Sequence, residues 1–160
     1  MIIGVVSDTH GDYAAIERAA AAVGLADLWL HAGDCSEDGR ILGKITGMPV
    51  ISVKGNCDGS ADAKVDEFFE AGGKAFWLTH GHRHHVKLGT SELKWWGRQY
   101  QVDVIIYGHS HIPEITNDED LLVVNPGSAA YPQKSEHPTC AVITINDNYF
   151  QAKIIELNVK

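Results

Sequence analysis

Short apolar runs recur along the chain, and each ends abruptly in polar or charged residues. "IIGVV" (2–6) is continuous, apolar and β-branched, the pattern of a strand covered on both faces. "DYAAIERAAAAV" (12–23) is rich in alanine, with Asp12 placed to cap it, and predicts a helix. "ADLWLHAGD" (26–34) predicts a second strand, "SEDGRILGKI" (36–45) a short helix weakened by Gly39 and Gly43, and "MPVISVKGNCD" (48–58) a third strand. "KAFWLTHGH" (74–82) and "VDVIIYGHSH" (102–111) predict two more strands, and "SELKWWGRQYQ" (91–101) a helix interrupted at Gly97. This alternation predicts a parallel sheet with right-handed crossovers. The tail differs. "EITNDEDLLVV" (114–124) predicts two short strands around "NDED", and "TCAVITINDNYFQAKIIEL" (139–157) two longer ones around "NDN". The front half therefore reads as parallel and the back half as antiparallel. With no linker or repeat, residues 1–160 read as a single domain long enough for a sizeable core.

Charge narrows the function. A net charge of −8 leaves no basic surplus to neutralise nucleic-acid phosphates. A small anionic substrate stays open, because a bound cation reverses the sign locally. No apolar stretch reaches the ~20 residues of a membrane helix, and "MIIGVVSD" lacks a basic leader region, so a cytoplasmic protein is expected. Cys35, Cys57 and Cys140 are odd in number and form no CxxC pair, which fits free thiols in a reducing compartment.

Five strand-like runs end in one kind of chemistry: "SDTH", "HAGD", "KGNCD", "LTHGH" and "YGHSH". In an open α/β sheet, ligands collect outside the carboxyl ends of the strands. If these runs share one sheet, Asp8, His10, Asp34, Asn56, His80, His109 and His111 converge on one rim. Seven such groups make two ligand sets, provided one carboxylate is shared between metals ~3.5–4 Å apart. Imidazole with carboxylate suits Mn, Fe, Co, Ni or Zn better than Ca or Mg. Singly, each group has an ordinary structural reading: an aspartate as a turn or cap, a histidine as a surface group, Asn56-Cys57-Asp58 as a turn. Their coincidence at five strand ends carries the inference. His31 reads as a core residue or a support for the site, and His84, His85 and His137 as solvated.

The ordered set "DTH", "GD", "GNCD", "THGH" and "GHSH" resembles the calcineurin-like metallophosphoesterase superfamily. The short chain and the cysteine in "GNCD" look most like its small bacterial and archaeal phosphodiesterase branch. The resemblance implies a four-layered α/β/β/α sandwich of two mixed β-sheets flanked by helices, with the antiparallel tail supplying part of the second sheet. It implies that Asp8, His10 and His111 hold one metal, that Asn56, His80 and His109 hold a second, and that Asp34 bridges. The metals would be two divalent transition-metal ions, manganese first, with Ni, Fe, Co or Zn as alternatives. His82 would line the site, and Asp58 would orient its neighbours. In "NPGS" (125–128), Pro126 and Gly127 make either a tight turn beside the site or a purely structural one.

The expected reaction is hydrolysis of a phosphoester by a hydroxide bridging the two metals, in line with the leaving oxygen. Many members of the superfamily carry histidine after the asparagine, where Cys57 stands here. A neutral thiol is a poor general acid and brings no positive charge to a dianionic monoester. Cys57 then either biases the site toward diesters or merely fills space beneath it, and a small phosphodiester is the expected substrate. The alternative is a metal-binding interaction scaffold with little turnover, like the retromer subunit that shares this fold. A nuclease is disfavoured by charge, no membrane partner is expected, and a homodimer is left open. Trp95 and Trp96 either stack a base or pack in the core, with the core favoured.

Overall fold

A computed structural model describes residues 1–59, 62–147 and 149–158. In chain order the elements are β1 (Ile2–Val6), α1 (Tyr13–Val23), β2 (Leu28–His31), α2 (Asp38–Thr46), β3 (Val50–Ser52), β4 (Asp66–Ala71), β5 (Lys74–Thr79), α3 (Ser91–Gln99), β6 (Val104–Ile106), β7 (Glu114–Asp118), β8 (Leu121–Asn125), β9 (Thr139–Asn146) and β10 (Tyr149–Glu156). They form two five-stranded sheets, in the orders β10-β9-β1-β2-β3 and β4-β5-β6-β8-β7. Both sheets are mixed. β1, β2 and β3 run parallel, as do β5, β6 and β8, while β9, β10, β4 and β7 add antiparallel edges.

Apolar faces dictate the layering. Ile3, Val5 and Leu30 of the first sheet pack against Phe76, Leu78, Val104, Ile106 and Val124 of the second. On the outer side, Ala15, Ile16 and Ala19 of α1 and Leu42 of α2 cover Val6 and Trp29. On the far side, Leu93 of α3 covers Trp77, Ile105 and Tyr107. β1 is thus sandwiched between two clusters, which is why "IIGVV" shows no polar alternation. The result is the four-layered α/β/β/α arrangement. Asp12 caps α1 by accepting a hydrogen bond from the Ala15 N–H at 3.0 Å.

Several expectations needed correction. The five polar strand ends belong to two sheets rather than one: three lie on β1, β2 and β3, and two on β5 and β6. β7 and β8 join the second sheet, but β8 is parallel to β6. The β9–β10 hairpin instead returns to pair antiparallel with β1; Asn148 of its expected turn lies outside the described residues. β4 carried no sequence prediction, because "DEFFEA" sets two phenylalanines side by side without alternation and forms a half-exposed edge. Trp96 packs partly against the α3 cluster, whereas Trp95 is exposed. His84 is not solvated but rests edge-on against Trp77. Among the described residues, no helix is long and apolar enough to cross a membrane.

α3 runs through Gly97 unbroken, because Gly97 is where the helix touches the sheet. A Cβ there would sit 2.5 Å from the Cδ1 of Ile105, which is fully buried. Gly97→Ala should therefore destabilise the protein by about 1–3 kcal/mol through overpacking, outweighing the ~1 kcal/mol gain in helix propensity. Urea unfolding checks this. Adding Ile105→Val should restore part of the loss, whereas a stabilised Gly97→Ala protein would contradict the packing account.

Candidate metal centre

Six parallel strands, three from each sheet, deliver their carboxyl ends to one rim. Asp8 and His10 follow β1, Asp34 follows β2, Asn56 follows β3, His80 and His82 follow β5, and His109 and His111 follow β6. The chain turns sharply at these ends. Asp8, His10, Asp34, His109 and His111 all adopt left-handed backbone, with φ of 54°, 48°, 55°, 67° and 57°. Each such non-glycine residue costs on the order of 1 kcal/mol or more, and persists only where its surroundings hold it.

Asp8, His10, Asp34 and His111 each offer a ligand atom, all within 4.8 Å of one another. Asp8 is fully buried. Its Oδ2 accepts from the Ser7 hydroxyl at 2.6 Å and the His109 N–H at 3.1 Å. Its Oδ1 is buried without a hydrogen-bond partner, 3.1 Å from His111 Nε2 and 3.9 Å from His80 Nε2. Asp34 faces two ways: Oδ1 lies 3.4 Å from His80 Nε2, and Oδ2 lies 3.9 Å from His10 Nε2. The remaining expected ligands gather on the Oδ1 side. Asn56 Oδ1 is 3.1 Å from His80 Nε2, and the His109 and His80 rings are 5.1 Å apart. His82 is 5.4 Å from His80, ring to ring.

Two backbone carbonyls decide how the imidazoles are presented. His80 Nδ1 donates to Ala32 O at 2.7 Å, and His111 Nδ1 donates to Tyr131 O at 2.6 Å. A carbonyl can only accept, so each neutral ring turns its Nε2 lone pair toward the carboxylates. Lone pairs then face lone pairs across about 3 Å, and only a shared cation or proton relieves that. A divalent cation fits this donor set, and the orphaned Asp8 Oδ1 points the same way.

Electrostatics agree. Burial would push the Asp8 carboxyl up, but His111, His80 and Ser7 hold it below its ordinary value. Asp34 behaves likewise, with His80 and the Cys57 N–H overcoming burial. Burial opposes charge on His80, yet Asp34 and Asp8 raise its pKa. Contact with Asp8 raises that of His111 despite its burial. On the other flank, burial followed by His80 and Lys87 pushes His109 down to about 4, and burial with His80 lowers His82. The carboxylate side thus collects protons while His82 and His109 stay neutral.

The "GNCD" turn wraps Asp34. Cys57 N–H donates to Asp34 Oδ1 at 2.9 Å. Asp58 accepts from Gly55 N–H at 2.6 Å and Ser36 N–H at 2.5 Å, which clasps the β2 and β3 loops together. Gly55 is required here by close approach: a Cβ would strike the Asp34 carboxylate and lie 2.8 Å from His80 Cδ2.

Sequence reasoning anticipated His31 and Asp58 as supports but missed Asn125 and Ser128. Asn125, at the end of β8, donates to Gly108 O at 3.0 Å and Ser110 Oγ at 2.9 Å, holding the "GHSH" loop. Ser128 donates to Asp8 O at 2.8 Å and accepts from Tyr131 N–H at 2.7 Å, so one hydroxyl links Asp8 to the segment that orients His111. The signal was available in "NPGS", a sixth strand end whose working groups are its outer residues. His31 is buried beneath the first loop. Its Nδ1 accepts from Gly33 N–H at 3.3 Å, its Nε2 bonds Thr9 Oγ1 at 2.9 Å, and Thr9 donates to Asp38 at 2.5 Å.

Residues 1–148 match the calcineurin-like phosphoesterase superfamily domain. The chain belongs to that superfamily. It is 33% identical over 160 residues to a probable metallophosphoesterase of Methanothermobacter thermautotrophicus, covering 97% of this chain and 92% of that protein. It is 28% identical to the phosphodiesterase YfcE of Escherichia coli over 66% of this chain and 62% of that protein. A solved uncharacterized protein from Streptococcus pneumoniae, described as a predicted phosphoesterase, superposes with a TM-score of 0.83 at 28% identity, over 97% of this chain and 88% of that one. Entamoeba histolytica Vps29, solved with Zn2+, shares the fold at a TM-score of 0.75 and 22% identity, covering 99% of this chain and all of that one.

Metal loading of this superfamily member should release protons. His80 and His111 have raised pKa values, so near pH 6.5 their inward lone pairs are partly protonated before a metal binds. Apparent affinity should fall as pH drops from 7.5 to 6. Calorimetry in two buffers of different ionisation enthalpy measures the release directly. Zero release at pH 6.5 would contradict the raised pKa values of His80 and His111.

Proposed function

We propose that the protein is a metal-dependent phosphodiesterase. The observation that carries this reading is the two-faced Asp34 carboxylate, with one oxygen toward His10 and the other toward His80. Asp8, His10 and His111 would hold one divalent cation, Asn56, His80 and His109 would hold a second, and Asp34 would serve both. Manganese leads the candidates. Bound cations would ionise a water near neutral pH and offset charge on the phosphoryl oxygens.

The protein's own groups shape the rest. Asn56 gives a neutral oxygen, which limits repulsion toward an anionic ester. Asp58 holds the turn that brings Cys57 N–H to Asp34, and His82 lines the opening beside His80. Burial, then Asp34, pushes the Cys57 thiol up, so it stays neutral at pH 7. With His82 and His109 also held toward the neutral form, neither of these two imidazoles rewards the second negative charge of a monoester. A diester with a good leaving group suffers least from that. A cytoplasmic location and the absence of nucleic-acid or membrane partners belong to the same reading.

Two measurements test it. Metal-free protein reloaded with Mn2+ should hydrolyse bis(4-nitrophenyl) phosphate, and Asp34→Asn should reduce kcat/KM at least ~100-fold while weakening metal retention. Metal bound tightly with no ester hydrolysed by the wild type would favour the scaffold alternative. Second, Cys57→His should raise the monoesterase-to-diesterase ratio of kcat/KM by about tenfold or more, the low end of general-acid catalysis. An unchanged ratio with intact fold and metal content would assign substrate choice elsewhere.

A further inference from the structure

A cavity of about 520 Å3 opens against the metal centre and shares His109 and His111 with it. Its volume lies in the range of small-molecule sites. Val86 and Ile112 give it aliphatic walls, and Lys87 and Lys134 bring two ammonium groups from separate loops. Among the described residues, neither lysine has a carboxylate within 4.0 Å, in a chain of net charge −8. The one acid lining the cavity, Glu114, is already engaged: Tyr107 donates to its Oε2 at 2.9 Å and Thr116 to its Oε1 at 3.0 Å. The loop that carries Lys134 is fixed to the centre, since Gln133 N–H donates to His111 O at 3.1 Å and Tyr131 O accepts from His111 Nδ1.

We infer that this cavity is a second anion subsite, in which Lys87 and Lys134 receive a phosphate borne by one arm of the diester substrate. The inference rests on the diesterase reading. Two exposed but unpaired cations beside a reacting centre raise the local concentration of an anionic ligand and orient it. The aliphatic walls take the organic part of the arm, and the cavity admits an arm of nucleoside size. The substrate class is then a phosphodiester whose retained alcohol carries a further phosphate, such as a nucleoside bisphosphate ester. The metal centre acts on the inner phosphorus and the lysines hold the outer group.

Two substrates with one leaving group test this: thymidine 5′-(4-nitrophenyl phosphate), with and without a 3′-phosphate. On Mn2+-loaded wild type, the 3′-phosphate should raise kcat/KM about tenfold, the order expected of two exposed charge pairs. In the double variant Lys87→Gln, Lys134→Gln the ratio should fall to within about twofold of one. Using the ratio within each variant cancels any general change in activity. A wild-type ratio near one, or a raised ratio that survives the double substitution, would overturn the subsite while leaving the diesterase reading intact. If neither ester is hydrolysed, the diesterase reading fails, and calorimetry on the metal-loaded protein decides the subsite alone. Thymidine 3′,5′-bisphosphate should then bind about tenfold tighter than thymidine 5′-monophosphate in the wild type only, and equal affinities would overturn the subsite.

Discussion

Asp8 places a carboxylate with no solvent exposure at the junction of two sheets, and the rest of the rim is arranged around that buried charge. A buried carboxylate is tolerated only when donors or cations surround it. Ser7 and the His109 backbone satisfy one oxygen. The other faces His111 and His80, whose outer nitrogens are committed to carbonyls. The compensation for Asp8 is thus left to whatever occupies the space between the side chains. Protons on His80 and His111 serve at low pH, and a divalent cation fits the same place.

The same constraint accounts for the backbone. Side chains that converge on one point from two sheets must leave their strands at steep angles, and five of them do so with φ near +50° to +70°. Strain of this kind needs over-determined surroundings. Asn125, Ser128, Asp58 and the His31–Thr9–Asp38 chain supply them by fastening loop to loop. None of these four supports needs to offer an atom to a cation. They hold the geometry that the ligands cannot hold for themselves.

Much of this could be read from residues alone, for a physical reason. Covered strands are apolar to their last residue, so Asp8 after "IIGVV" or His109 after "VIIYG" stands out against its own segment. β4 gave no such contrast, because an edge strand with Phe68 exposed and Phe69 packed inward breaks the period-2 rule. The two-sheet sandwich followed from the family resemblance, but which strands share a sheet was invisible to local pattern for a different reason. Local pattern records which residues are buried, not which neighbour buries them, so β8 read as antiparallel to β7 and its parallel partner β6 went unseen. Asn125 and Ser128 went unnoticed as supports because neutral residues at a turn have an ordinary reading. Lys87 and Lys134 lie 47 positions apart and come to line one cavity only through the fold.

On the proposed reading, the two faces of Asp34 would hold two cations. Anomalous diffraction from crystals of the Mn2+-loaded protein, collected at the manganese edge, measures this directly. The account predicts two peaks per chain, on opposite sides of the Asp34 carboxylate and ~3.5–4 Å apart, one beside His10 and His111 and the other beside His80 and His109. A single peak, or a pair that leaves Asp34 out, would contradict it.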